Sequence, residues 1–138
     1  MPPLKHLSKF VIVLLLLHAG VALAQADDKA VRAVLFKQQI CWNNGDIPCF
    51  MESYWKSDSL KFIGKSGITY GWKQTMDNYK KSYPDTATMG KLTFILLEVK
   101  TWNGADAWVL GKWHLQRSKG DVGGYFTLMF RKINGAWV

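Results

Sequence analysis

Apolar positions in this chain change period partway along, from helical spacing to strict alternation. Between Ala30 and Trp42, residues Val31, Val34, Leu35, Gln38 and Trp42 fall near one face with no breaker among them, which predicts a helix. Asn43-Asn44-Gly45 stops it, because asparagine and glycine tolerate the left-handed cap. Asp46 reads as the N-cap of a second helix, with Pro48 tolerated in its first turn. Phe50, Met51, Tyr54 and Trp55 form its apolar stripe, and Asp58-Ser59 ends it. Leu60 to Ile63 and Ile68 to Tyr70 are short strand candidates around Gly64-Lys65-Ser66-Gly67. Trp72, Met76, Tyr79 and Tyr83 predict a third helix from Trp72 to Ser82, broken by Tyr83-Pro84-Asp85. Alternation follows, with strands predicted over Met89 to Thr101, Asp106 to Arg117, Gly124 to Lys132 and Ala136 to Val138. Helices first and an antiparallel meander afterwards make an α+β pattern, with the helices on one face of the sheet.

Turn chemistry extends this to a register. Asn103-Gly104 and Asn134-Gly135 are two-residue hairpin signals, since both central positions of that turn need positive φ. Closing the first turn pairs Trp102 with Ala105, Glu98 with Val109, Leu96 with Gly111, Phe94 with Trp113 and Leu92 with Leu115, all on one face. The opposite face then carries Val99 with Trp108, Leu97 with Leu110, Ile95 with Lys112 and Thr93 with His114. A Ser118 to Gly123 loop sets Leu115 opposite Phe126, Trp113 opposite Leu128 and Gly111 opposite Phe130. Trp137 joins the same inner face through the final hairpin. Gly111, in the middle of a long strand, marks a bend or a close backbone approach. A bent sheet wrapped over helices makes a cone with a cavity.

The N-terminus alters the domain count. Lys5 and Lys9, the apolar run Phe10 to Leu17 and the small-x-small site Ala22-Leu23-Ala24 mark residues 1–24 as a secretory signal peptide. The apolar run falls short of the roughly 20 residues a spanning helix needs. Residues 25–138 are then one exported domain, periplasmic or secreted, starting at Gln25. The formal net charge is +8, and Lys5 and Lys9 leave with the leader. The remaining positive residues are scattered, with Lys80-Lys81 and Arg131-Lys132 the only adjacent pairs after the leader, which argues against a nucleic-acid reader. No membrane contact is expected once the leader is gone. Cys41 and Cys49 are the only cysteines, and export would place them where disulfides persist. They are a disulfide candidate, the alternative being two buried thiols. No histidine is spaced to join them around a metal.

Trp42-Asn43-x-Gly45-Asp46, Tyr54-Trp55, Met89-Gly90-x-Leu92-x-Phe94, Gly111-x-Trp113-x-Leu115, Phe126-Thr127-Leu128 and Asn134-Gly135-x-Trp137 form a set that spans nearly the whole mature domain. This set resembles the SnoaL-like, ketosteroid-isomerase-like branch of the nuclear transport factor 2-like superfamily, including exported bacterial members of unknown function. The resemblance implies a cone-shaped α+β fold, three N-terminal helices packed on a curved antiparallel sheet, often dimeric. It implies no single reaction, because the scaffold hosts isomerases, dehydratases, cyclases, binding modules and assembly domains. Members of the branch commonly run on past the final Gly-x-Trp into a strand with an Asp-His-Thr/Ser pattern. The sequence ends at Val138, so either that strand is missing from it or this member does without those groups.

In the isomerase-like relatives the base lies at the end of the first sheet strand, where this chain has Phe62-Ile63-Gly64-Lys65 and no acid. Asp58 sits at a helix-to-strand junction, where turn formation explains it. Glu98 and Arg117 are the charged residues whose strand parity points inward, Arg117 as an anion or carboxylate clamp at the rim. Tyr54, Tyr79, Phe94, Trp113 and Phe126 complete the expected cavity lining. Ile95, Leu97, Trp108, Leu110, His114 and Met129 are expected on the outer face, where they suit a homodimer interface. No Ser-His-Asp set, phosphate loop or metal cluster is recognisable, and no cofactor is expected. The leading expectation is an exported cone that binds a small apolar or anionic ligand. A small-molecule isomerase or lyase and a pure dimerisation module are the alternatives, and catalysis cannot be read from these residues.

Overall fold

The computed structural model describes the backbone from Lys5 to Val138 and the side chains from Gly20 onward. Met1 to Leu4, and the side chains of the apolar run on which the leader expectation rests, lie outside the described residues. Helix α1 spans Lys5–Asn43, with Gly20 its only glycine and no proline to break it. It therefore begins well before the predicted Ala30 start. Gly20 to Ala26 are all exposed, and burial begins in earnest at Val31. Among the described residues no helix is long and apolar enough to cross a membrane.

Helix α2, Ile47–Met51, is shorter than its apolar stripe suggests. In a longer helix the Met51 carbonyl would accept from Trp55. Instead it accepts the Trp72 indole N–H (2.7 Å) and the Tyr54 amide (3.1 Å), which leaves Tyr54 and Trp55 in a turn. Asp46 caps α2, its carboxylate accepting from the Cys49 amide at 2.9 Å. Cys41 and Cys49 are joined by a disulfide that ties the last turn of α1 to α2, with Cα atoms 5.4 Å apart. Strands β1 (Lys61–Gly64) and β2 (Gly67–Tyr70) form a separate hairpin, followed by α3 (Trp72–Ser82). A single-turn helix α4 (Thr86–Met89), capped by Asp85, precedes the main sheet where strand was predicted to begin.

The sheet runs β3 (Lys91–Trp102), β4 (Asp106–Gln116), β5 (Val122–Ile133) and β6 (Ala136–Trp137), each antiparallel to the next and strongly curled. Asn103 and Gly104 have φ of 57° and 61°, and Ala105 donates to the Trp102 carbonyl across the turn. Ala105 then leaves the β3–β4 ladder, because its carbonyl accepts from Lys132 of β5 at 2.7 Å. Trp102 therefore faces Asp106 instead of Ala105, and a bulge at Leu97 absorbs the extra residue. Beyond it, Leu96 faces Gly111, Phe94 faces Trp113 and Leu92 faces Leu115. Between the two irregularities every β3 side chain is reversed from expectation. Val99 turns inward opposite Val109, while Glu98 turns outward opposite Leu110 and binds Lys100 at 3.0 Å.

The β4–β5 register differs from expectation by four residues. Asp121 accepts the Arg117 amide at 3.0 Å and Gly120 takes φ of 107°, so the loop closes early and β5 starts at Val122. Leu115 faces Val122, Trp113 faces Gly124 and Gly111 faces Phe126. Four is even, so the faces survive the shift. Two buried clusters fill the fold. One joins α1, α2 and the start of the sheet through Trp42, Phe50, Met51, Met89, Leu92 and Leu115. The other joins Val31 and Leu35 to Ala107, Val109, Phe130 and Trp137, and Phe94 touches both.

Candidate functional site

The concave face of the sheet is not fully closed by the helices. Phe94, Leu96, Trp113, Gly124 and Phe126 are only half-buried there. Phe94 and Phe126 meet edge to face with centroids 5.4 Å apart, and the Phe126 ring lies over Gly111, where a Cβ would come within 2.5 Å of it. The Trp113 indole packs over Gly124, and a Cβ there would come within 3.1 Å of its Nε1. Among the described residues the Trp113 N–H has no acceptor. Among the described residues no side-chain nitrogen or oxygen is both buried and unpartnered, and Trp113 is half-buried. The result is an apolar trough with one free donor in its wall.

Beside it, under the β1–β2 hairpin, Tyr54 and Tyr79 come together. Both rings pack against Phe50 and Phe62, at centroid distances of 5.4–6.5 Å. The rings of Trp42, Phe50 and Phe62 surround Tyr79 at centroid distances of 5.4–5.9 Å. Burial raises the pKa of both phenols, Tyr79 the more strongly, so both stay protonated donors in the physiological range. Gln38 is itself buried and donates to the Phe50 carbonyl at 3.2 Å.

Of the expected lining, the trough gathers Phe94, Trp113 and Phe126, and the tyrosine pair stands next to it. Glu98 is absent from it, having been turned outward by the Leu97 bulge. Arg117 sits in the β4–β5 loop, half-buried, its stem against Gly90 and its Nε donating to the Gly120 carbonyl at 2.9 Å. The carboxylate shown against the inner face is Asp27 of α1, and it is ion-paired with Lys132 at 2.6 Å, with Lys132 lying over the Trp137 ring. Among the described residues no group of three or more His, Cys, Asp or Glu is placed to hold a metal. On the outer face Ile95, Leu97 and Met129 are exposed, and Trp108 and Leu110 half-buried. His114 is also exposed there, its Nε2 3.1 Å from Asp121. An open groove of about 300 Å³, lined by Gly45, Ile47, Lys80, Tyr83, Asp85 and Met89 among others, was not anticipated. It shares no residue with the trough or the tyrosine pair. Gln39 carried no expectation and Asn43 only that of a helix stop, yet both serve the β3 edge, and amide residues on a helix give no such signal by spacing.

No family model and no curated protein matches the chain. A crystal structure does: an NTF-2 like protein of unknown function from Shewanella oneidensis MR-1 has TM-score 0.77 and 37% identity, over 83% of this chain and 93% of that one. The chain belongs to the NTF2-like superfamily. A ketosteroid isomerase-like protein from Erwinia carotovora atroseptica SCRI1043 shares the NTF2-like fold at TM-score 0.60 and 16% identity, over 79% of this chain and 87% of that one. An M. tuberculosis LEH-like epoxide hydrolase does so at TM-score 0.54 and 13% identity, over 78% and 76%. At such identities the likeness concerns the fold alone.

Proposed function

We propose that this NTF2-like protein is exported and holds a small, partly apolar ligand in the trough of its sheet. The observation that carries the reading is the free Trp113 N–H in a wall of aromatic side chains, a polar handle in an otherwise apolar concavity. Arg117, just past the end of β4 on the inward parity, is the residue we assign to an anionic end of that ligand. An isomerase or lyase has less support, because general-base chemistry of that kind needs a carboxylate in the cavity and Glu98 faces away. Export is supported by the exposed Ala22-Leu23-Ala24 site ahead of the first buried residues. An intact mass of the exported protein that retains Met1 to Ala24 would rule out cleavage there. Two copies are inferred to associate across the outer sheet face, where Ile95, Leu97, Tyr125 and Met129 are exposed.

Titration with anilinonaphthalene sulfonate, an apolar aromatic anion, tests the trough. Saturable, one-to-one fluorescence enhancement is expected, with loss of that binding in Gly124→Leu, whose side chain pushes the Trp113 indole from its place over Gly124 into the trough. Absence of saturable binding, or equal binding by the variant, would overturn the reading.

A further inference from the structure

The β1–β2 hairpin presents two unlike faces. Phe62 turns inward against Tyr54 and Tyr79, and Thr69 beside it accepts a hydrogen bond from Asn78 at 3.3 Å. The other face pairs Ile63 with Ile68 and Lys61 with Tyr70, so these four side chains stand together. Ile63 is 76% exposed, Ile68 53% and Tyr70 60%. This is a compact apolar surface on a hairpin that is paired to no other strand. Natural proteins normally blunt or cover such a surface.

Charge identifies what covers it. No acidic residue occurs between Asp58 and Asp77, a stretch that includes Lys61, Lys65 and Lys73. Lys73 is paired with Asp77 at 2.6 Å, while Lys61 and Lys65 have no ion-pair partner among the described residues. The basic residues look scattered along the sequence, but the fold sets two free lysines around three exposed apolar side chains. Apolar side chains with a tyrosine, edged by free lysines, match the boundary between acyl chains and anionic headgroups. There the apolar groups leave water and the ammonium groups meet phosphate. A protein partner using this face would have to bring its own acids to two long, mobile lysines, whereas an anionic bilayer supplies phosphate at every lateral position.

We infer that the outer face of the β1–β2 hairpin, formed by Lys61, Ile63, Lys65, Ile68 and Tyr70, docks on an anionic lipid bilayer. The contact is peripheral and reversible, because three apolar side chains and two charges are far less than a spanning helix provides. It does not depend on the trough holding a ligand.

The test places an environment-sensitive dye on a cysteine introduced by Ser66→Cys at the hairpin tip, so that only this hairpin is read. The full chain is mixed with vesicles of phosphatidylglycerol and phosphatidylcholine, or of phosphatidylcholine alone. A blue shift is expected with the anionic vesicles only, weakening as salt rises. Lys61→Gln and Lys65→Gln should each weaken it about fivefold. The pair Ile63→Ser and Ile68→Ser should abolish it with unchanged near-ultraviolet circular dichroism, since both residues are exposed. Four results would overturn the inference. They are vesicle binding without a dye shift, an equal shift on phosphatidylcholine, indifference to the isoleucine substitutions, and a concentration-dependent shift without vesicles, which would indicate a second copy.

Discussion

Gly90, between α4 and β3, has no room for a methyl group. A Cβ there would lie 2.4 Å from both the Gln116 carbonyl oxygen and Arg117 Cγ, and its φ of 64° is left-handed. The arginine stem can move, but the backbone carbonyl cannot without disturbing β4. Gly90→Ala should therefore cost about 2–4 kcal/mol, read from the shift in urea midpoint at unchanged slope. An unchanged midpoint would mean that the α4–β3 junction relaxes freely. Tyr79 makes a different prediction at the same scale. Its pKa is raised in the folded protein, first by burial and then by the neighbouring Tyr54, so above pH ~10 the unfolded chain loses phenolic protons that the folded one keeps. Stability from this group is full below that pH and falls as pH rises through the folded value. Thermal unfolding midpoints should decline above pH ~10, less steeply in Tyr79→Phe. Equal slopes in the two proteins would remove Tyr79 as the cause.

Helix α1 secures the edge of β3 with side-chain amides. Asn43 donates to the Leu92 carbonyl (3.0 Å) and accepts its amide (2.7 Å), as a neighbouring strand would. Gln39 accepts from the Phe94 amide (2.7 Å), and the Trp42 indole donates to the Met89 carbonyl (3.2 Å). The Trp-Asn-x-Gly-Asp segment is thus a fastening: indole and amide hold the sheet, Gly45 turns the chain with φ of 76°, and Asp46 caps α2. Asn43→Ala should cost about 1–3 kcal/mol and speed hydrogen exchange at Leu92, because a half-buried amide and carbonyl lose their partners. Unaltered exchange would mean that water replaces Asn43 without loss. Most element types and most strand faces were legible in the sequence because period and turn chemistry are local. The Asn103-Gly104 turn was read correctly, yet what expelled Ala105 from the ladder is a bond to Lys132, 27 positions away in sequence. The compensating bulge at Leu97 has no local signal either. That is why Glu98, a candidate site residue by parity, lies on the other face.

At the scale of the molecule, the sheet has one face toward the helices and one left to water. The outer face is less apolar than strand parity alone suggests. Lys112 lies over the Tyr125 ring at 4.9 Å and Lys100 over Trp108 at 5.8 Å, and Glu98 joins them through the reversed segment. These lysines shield part of the aromatic surface in the single chain. They leave Ile95, Leu97 and Met129 uncovered, around the half-buried Leu110 of the central strand. A twofold contact would bury the same residues on both copies and let Glu98 of one face meet a lysine of the other. A self-complementary pattern of this kind favours association, and the charges around it make the association salt-dependent. Sedimentation velocity at micromolar concentration should show a dimer that weakens at high salt. Leu110→Asp should give a monomer, since it buries an unpaired carboxylate at the middle of the contact. The dye-labelled hairpin lies outside this sheet and should respond to lipid equally in both forms. A chain that sediments as a monomer, unaffected by Leu110→Asp, would mean that lysine stems over Trp108 and Tyr125 suffice to keep this face in water.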